Sequence, residues 1–240
     1  MNQAQDKISN PIKEIIFSIS FADNIDIKCL NKFKDLKEIK EVFPSIQPGY
    51  NANLKSFFDG KPPVTDIHKA GYIMKCDEPC NRILQAKLGL FAFHKTKEYE
   101  SFENLIIELN QYWQMFQLCT GSLKITNISL RYLNFIEIVG NENISDYLHI
   151  VTTSPFGAES NEFVQLKFKA GETPITDATL VVTRGKDGQK KGIILDIILN
   201  RKFNSQIFDD INPAFEGMRE IKNDIFQKAV TNKTKQKYNL

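Results

Sequence analysis

Residues 178–199 read Ala-Thr-Leu-Val-Val-Thr-Arg-Gly-Lys-Asp-Gly-Gln-Lys-Lys-Gly-Ile-Ile-Leu-Asp-Ile-Ile-Leu. Two apolar runs, 178–183 and 192–199, flank Arg184-Gly185-Lys186-Asp187-Gly188, which has hairpin-turn chemistry. A turn this short joins antiparallel strands, because a parallel crossover needs a dozen residues or more. The stretch therefore predicts an antiparallel sheet.

The same signals recur on either side. Ile15, Phe17, Ile19 and Phe21 alternate with polar or small residues over 12–21, a strand preceded by Pro11. Tyr72–Cys76 reads as a short strand and 82–94 as one longer strand, with Leu84, Ala86, Leu88 and Leu90 on one face. Strands follow at 125–139 and at 162–169, where Val164, Leu166 and Phe168 alternate with Gln165, Lys167 and Lys169. The segment 44–66, rich in Pro and Gly, reads as a long irregular loop.

Helical spacing appears in four places. Leu30, Phe33, Leu36, Ile39, Val42 and Phe43 predict one helix ended by Pro44. Phe102, Leu105, Ile106, Leu109, Tyr112, Trp113 and Phe116 predict the clearest one, with Ser101 as N-cap and Gly121 just past its end. Residues 144–150 suggest a short helix. Asn212-Pro213 opens the last, with Phe215, Met218, Ile221, Ile225 and Ala229 as its stripe. The basic tail after Thr231 is expected to fray.

These elements predict an α+β fold, a largely antiparallel sheet covered on one face by two long helices. The order strand, helix, strands, long helix occurs twice, at about 11–120 and 122–232, without residue-level repetition. One domain over 1–240 is expected.

Composition agrees with an ordinary globular chain: 42% hydrophobic and 25% charged over 240 residues. Thirty-one Lys and Arg against 29 Asp and Glu leave +2, which argues against strong bulk attraction to nucleic acid or anionic lipid. No stretch reaches the roughly 18 apolar residues of a membrane span. With no apolar leader in residues 1–10, a cytoplasmic address is expected, and four free thiols fit it.

Asn10-Pro11-Ile12-Lys13-Glu14-Ile15-Ile16-Phe17 resembles the Asn-Pro-Pro-Ile-x-Glu-x-x-Phe opening of a family of conserved hypothetical prokaryotic proteins, described as sporadically distributed; one proline is absent here. Leu130-Arg131-Tyr132-Leu133-Asn134 is similar to the family's Arg-Tyr-Ile-Asn strand, and the similarity continues at Leu195-Asp196-Ile197 and 215–231. The resemblance implies no established activity. The family's patchy distribution is like that of mobile or defence-associated genes.

Few residues point to chemistry. Arg131 and Asp196 each interrupt an apolar strand, where a lone charge is costly. They form one candidate polar, ligand-binding centre, with Asn134 nearby but of opposite parity to Arg131. A purely structural ion pair is the competing account. Cys76-x3-Cys80 lacks the second pair typical of zinc sites, so no metal or cofactor is expected. His68, His94 and His149 are scattered, and Glu100, Glu103 and Glu108 are expected to be solvated opposite the apolar helix face. Lys222, Lys228, Lys233, Lys235 and Lys237 make the C-terminal region basic. The expected function is a non-enzymatic binding or accessory protein using a sheet-and-helix groove for a protein or small-molecule partner. An enzyme with its polar centre near Arg131 and Asp196, or a nucleic-acid-associated factor, is the alternative.

Overall fold

The computed structural model describes residues 10–22, 24–55, 64–97, 99, 101–140, 142–150, 163–172, 174–205 and 211–240. Nine antiparallel strands form one sheet: β1 (Ile12–Phe21), β2 (Ser45–Lys55), β3 (Val64–Cys76), β4 (Arg82–Lys87), β5 (Leu90–Thr96), β6 (Ile125–Glu137), β7 (Phe163–Ala170), β8 (Thr176–Asp187) and β9 (Lys190–Ser205). Their order is β2-β3-β4-β5-β1-β6-β9-β8-β7. The fold is α+β. Among the described residues five helices accompany the sheet, where helical spacing predicted four: α1 (Ile27–Asp35), α2 (Lys37–Val42), α3 (Phe102–Thr120), α4 (Ile211–Ala229) and α5 (Asn232–Tyr238). A 3-10 turn at Ile144–Asp146 stands where a short helix was expected.

The central pair is β1 and β6. Outward from it, each first strand lies beside the last strand of its own half, giving β1-β5-β4-β3-β2 on one side and β6-β9-β8-β7 on the other. A 19-residue helix follows each last strand, α3 after β5 and α4 after β9.

Alternation decides the buried face. Ile15, Phe17, Ile19 and Phe21 are buried, while Glu14, Ile16, Ser18 and Ser20 between them are partly open. Phe17 joins the two long helices: its ring lies 5.5 Å from Phe102 of α3 and 5.2 Å, edge-on, from Phe215 of α4. Such aromatic pairs add roughly 0.5–1.5 kcal/mol beyond area burial. Trp113 and Phe116 of α3 sit 5.3 and 5.0 Å from Phe91 of β5. Ser101 Oγ accepts from the Asn104 N–H at 3.1 Å, and Gly121 ends α3 at φ 81°.

Four expectations are corrected. The single helix over 30–43 is two, broken at Leu36 (φ −57°, ψ 139°). Apolar residues at 30, 33, 36 and 39 lag about 60° per step on an α-helix; one extended residue resets that drift, and Leu30, Phe33, Ile39 and Phe43 are all buried. Much of 44–66 belongs to β2 and β3, with only 56–63 outside the described residues. Pro48 is tolerated because β2 is the sheet edge. The strand over 82–94 is a hairpin turning at Leu88-Gly89, where Gly89 at φ +79° supplies the positive angle. The tail is docked: Thr231 caps α5, Thr234 Oγ1 donates to the Tyr147 carbonyl at 2.6 Å, and the Tyr238 hydroxyl accepts from Glu137 N–H at 3.1 Å.

Candidate functional site

The face of the sheet bearing Glu14, Ile16 and Ser18 carries a row of polar side chains across five strands. Arg131 of β6 and Asp196 of β9 meet on it. Nε lies 2.9 Å from Oδ1, and Nη2 lies 2.6 Å from Oδ2. The Asp196 side chain is 9% exposed and the Arg131 side chain 42%, so the pair is partly open. Nη1 of Arg131 makes no hydrogen bond among the described residues. Two strands away, His94 Nδ1 lies 2.7 Å from Glu14 Oε1, and His94 Nε2 lies 2.9 Å from Gln85 Nε2. The sequence did not bring these three together, because they come from three strands and only the register β4–β5–β1 joins them.

Asn134 does not join Arg131 and Asp196. It shares the parity of Leu130 and Tyr132, is buried, and its Nδ2 donates to the Leu195 carbonyl at 3.0 Å on the core side. That bond gives the buried amide a partner on the core side.

A second feature is a cleft of about 730 Å³ between the outer strands and α4. Leu166 and Phe168 of β7, Leu180 of β8, and Ile221 and Ile225 of α4 line it, with Ile150 at one end. The clean alternation read at 162–169 predicts a buried inner face for β7. Instead Leu166 is 41% and Phe168 40% exposed. β7 is the last strand of the sheet, and α4 leaves it partly uncovered. Gly171 (φ +79°) closes the end of the strand against Ile221, whose Cδ1 a β-carbon there would meet at 2.8 Å. The Asp224–Lys228 ion pair (2.8 Å) stands on the rim.

The remaining candidates are absorbed by the fold. Glu108, expected to be solvated, holds Arg82 through Nε–Oε2 at 2.6 Å, and Glu103 pairs with Arg219 at 2.7 Å; Glu100 lies outside the described residues. Burial and the neighbouring Cys76 thiol push the Cys80 thiol up to about 12, the opposite of a thiolate poised for metal or substrate. Among the described residues no three His, Cys, Asp or Glu side chains cluster for a metal.

The basic C-terminal lysines are largely engaged with the protein. Lys228 pairs with Asp224, and Lys233 with Glu142. Lys237 Nζ donates to the Glu137 carbonyl at 2.7 Å. Lys222 is buried with Nζ 4.3 Å from the Tyr132 ring centroid. No described helix is long and apolar enough to cross a membrane.

No family model matches this chain, and no curated protein does. The likeness at 10–17, 130–134, 195–197 and 215–231 therefore rests on those residues alone.

Proposed function

We propose that this chain is a non-catalytic binding protein that receives an apolar group, on a small molecule or a partner protein, in the cleft between β7, β8 and α4. The observation that carries this reading is the half-exposed apolar face of β7 opposite Ile221 and Ile225. Solvent contact at Leu166 and Phe168 wastes apolar burial that an occupant would recover at roughly 25 cal/mol per Å². The cleft volume lies within the range of small-molecule sites. On this reading α3 and α4 form the layer over one face, and the cleft is where that layer stops short of the edge.

Native mass spectrometry of the protein purified from its own host, with a titration of 1-anilinonaphthalene-8-sulfonate, tests the reading. A 1:1 adduct or saturable dye binding, lost in Phe168→Glu with melting temperature preserved, is expected. Bare mass together with no saturable dye binding overturns it.

The partly open Arg131 supports a second reading, an enzyme or polar-ligand site on the other face. It requires that Arg131→Met abolish retention of an anionic ligand while leaving cleft binding intact. A nucleic-acid role is disfavoured by the engaged lysines, and salt-independent failure to bind DNA or RNA is the expected result.

A further inference from the structure

We propose that Cys76 and Cys80 are a dithiol modification site, which exchanges with a low-molecular-weight disulfide such as oxidised glutathione and closes reversibly to an intramolecular disulfide. The pair sits in the turn between β3 and β4. It is separate from the β7–α4 cleft and does not depend on that reading.

The fold sets the two thiols together. Cys76 is the last residue of β3 and stands opposite Arg82, the first residue of β4. The turn between them folds back on itself: the Asn81 N–H donates to the Asp77 carbonyl at 3.0 Å, and Asn81 takes the left-handed conformation at φ 53°. That returns Cys80 toward Cys76, and the two thiols are in hydrogen-bonding contact. Both backbones are anchored. Ladder register fixes Cys76, and the Cys80 carbonyl accepts from Arg82 Nη1 and from Lys95 Nζ, the latter at 3.2 Å. Arg82 is held in turn by Glu108 of α3. A disulfide forms without strain only where the backbone already holds both sulfurs within reach, and this turn does so.

The site is open to a small reagent. Both cysteine side chains are partly buried, while Asp77, Glu78 and Pro79 between them are exposed.

The surroundings assign the order of attack. Burial first, and then the hydrogen bond with Cys76, hold the Cys80 thiol up at about 12, so Cys76 attacks first. Its sulfur bonds to one sulfur of the small disulfide, whose S–S bond breaks and releases one small thiol. Cys80 then gives its proton to solvent and attacks the Cys76 sulfur, expelling the second small thiol. Two protein thiols lose two electrons, and one small disulfide is reduced to two thiols. The closed ring spans only three intervening residues on an exposed turn. Exposed disulfides of this kind are the readily reduced class.

The test equilibrates the full chain with graded mixtures of reduced and oxidised glutathione and then blocks free thiols with N-ethylmaleimide. Trypsin cuts after Lys75 and Arg82, which releases both cysteines on one peptide without Cys29 or Cys119. In oxidising mixtures peptide 76–82 should be two hydrogens lighter and unlabelled by mass spectrometry, and dithiothreitol should restore both maleimide labels. The closure constant should be larger in the native chain than in the chain unfolded in urea, by about tenfold or more, because the turn preorganises the pair. Cys80→Ser should stop at a stable glutathione adduct on Cys76. Cys76→Ser should take up glutathione at Cys80 about tenfold more slowly than Cys80→Ser does at Cys76. Thiols that stay free in the native chain, a mixed disulfide that persists in wild type, or equal closure constants in the native and unfolded chains overturn the proposal. Faster uptake by Cys76→Ser than by Cys80→Ser overturns the order of attack.

Discussion

Arg131 and Asp196 are diagonal rather than direct neighbours. Across the β6–β9 ladder Arg131 stands opposite Ile198 and Asp196 opposite Leu133. The long guanidinium stem spans one two-residue step along the strand to grip both carboxylate oxygens. The shorter partner is the buried one, so the two ends of this pair are not equivalent.

That asymmetry sets the first expectation. Arg131→Met leaves the largely buried Asp196 carboxylate unpaired and should destabilise by about 1.5–3 kcal/mol. Asp196→Leu frees a guanidinium that is already partly in water, beside Ile194 and Ile198, and should cost less. The double variant should recover most of the larger loss in a chemical-denaturation cycle. Equal and additive single effects would show that the pair is not coupled.

Trp113 and Phe116 on α3 are fully buried against Phe91. Truncating either to Ala should cost about 3–5 kcal/mol by urea unfolding. Native Trp113 fluorescence should be blue-shifted and poorly quenched by iodide. A fully water-exposed emission maximum would refute the packing of α3.

Lys222 gives a pH signature. Burial, with Arg219 adding a smaller effect, lowers its pKa to about 8 from an ordinary 10.5. Between those values the unfolded chain holds the proton and the native chain does not. This group's contribution therefore makes stability rise with pH across about 8–10.5 and costs stability at pH 7. Lys222→Met should stabilise at pH 7 by on the order of 1–3 kcal/mol and flatten the melting-temperature slope above pH 8. The variant is compared with wild type at each pH, which cancels the titration of the buried tyrosines. An unchanged slope would show that the amine is solvated.

The docked tail is testable by truncation. Removing 232–240 deletes Thr234, Tyr238 and their hydrogen bonds to Tyr147 and Glu137, and should lower stability by several kcal/mol. Tyr238→Phe alone should cost about 0.5–1.5 kcal/mol. Hydrogen exchange over 147–149 should quicken on truncation, since the His149 N–H donates to the Ala229 carbonyl and the Thr231 N–H to the Tyr147 carbonyl, just before α5. Unaltered melting would mean that the tail frays.

Cys80 should alkylate slowly with iodoacetamide at pH 8, because its thiol is held up at about 12. Peptide mapping reads this out. Rapid labelling there, equal to a free small thiol, would contradict the burial.

Much of the fold was legible in local pattern. The β1 alternation, the α3 stripe with its Ser101 and Gly121 ends, and the β8–β9 hairpin each reflect a side-chain period that one element imposes on its own sequence. Turns were the weak point. Leu88 continues the alternation of Leu84 and Ala86, so the period ran through the β4–β5 turn, and Gly89 was its only signal. Pro48 argued against a strand, a rule that fails at a sheet edge, and edge position is not a local property.

The sites divide along the same line. That Arg131 and Asp196 need partners follows from residue type alone, because a lone charge in an apolar strand is costly anywhere. Parity already set Asn134 on the face opposite Arg131; register then brought Arg131 within reach of Asp196 and joined Glu14, His94 and Gln85. The sequence by itself determined the antiparallel α+β class, the buried stripes and the need for charge compensation, since these arise from short-range periodicity and desolvation. Only the tertiary structure decided the order of nine strands and the partly uncovered face of β7. Those depend on which distant segments end as neighbours and where the helical layer stops.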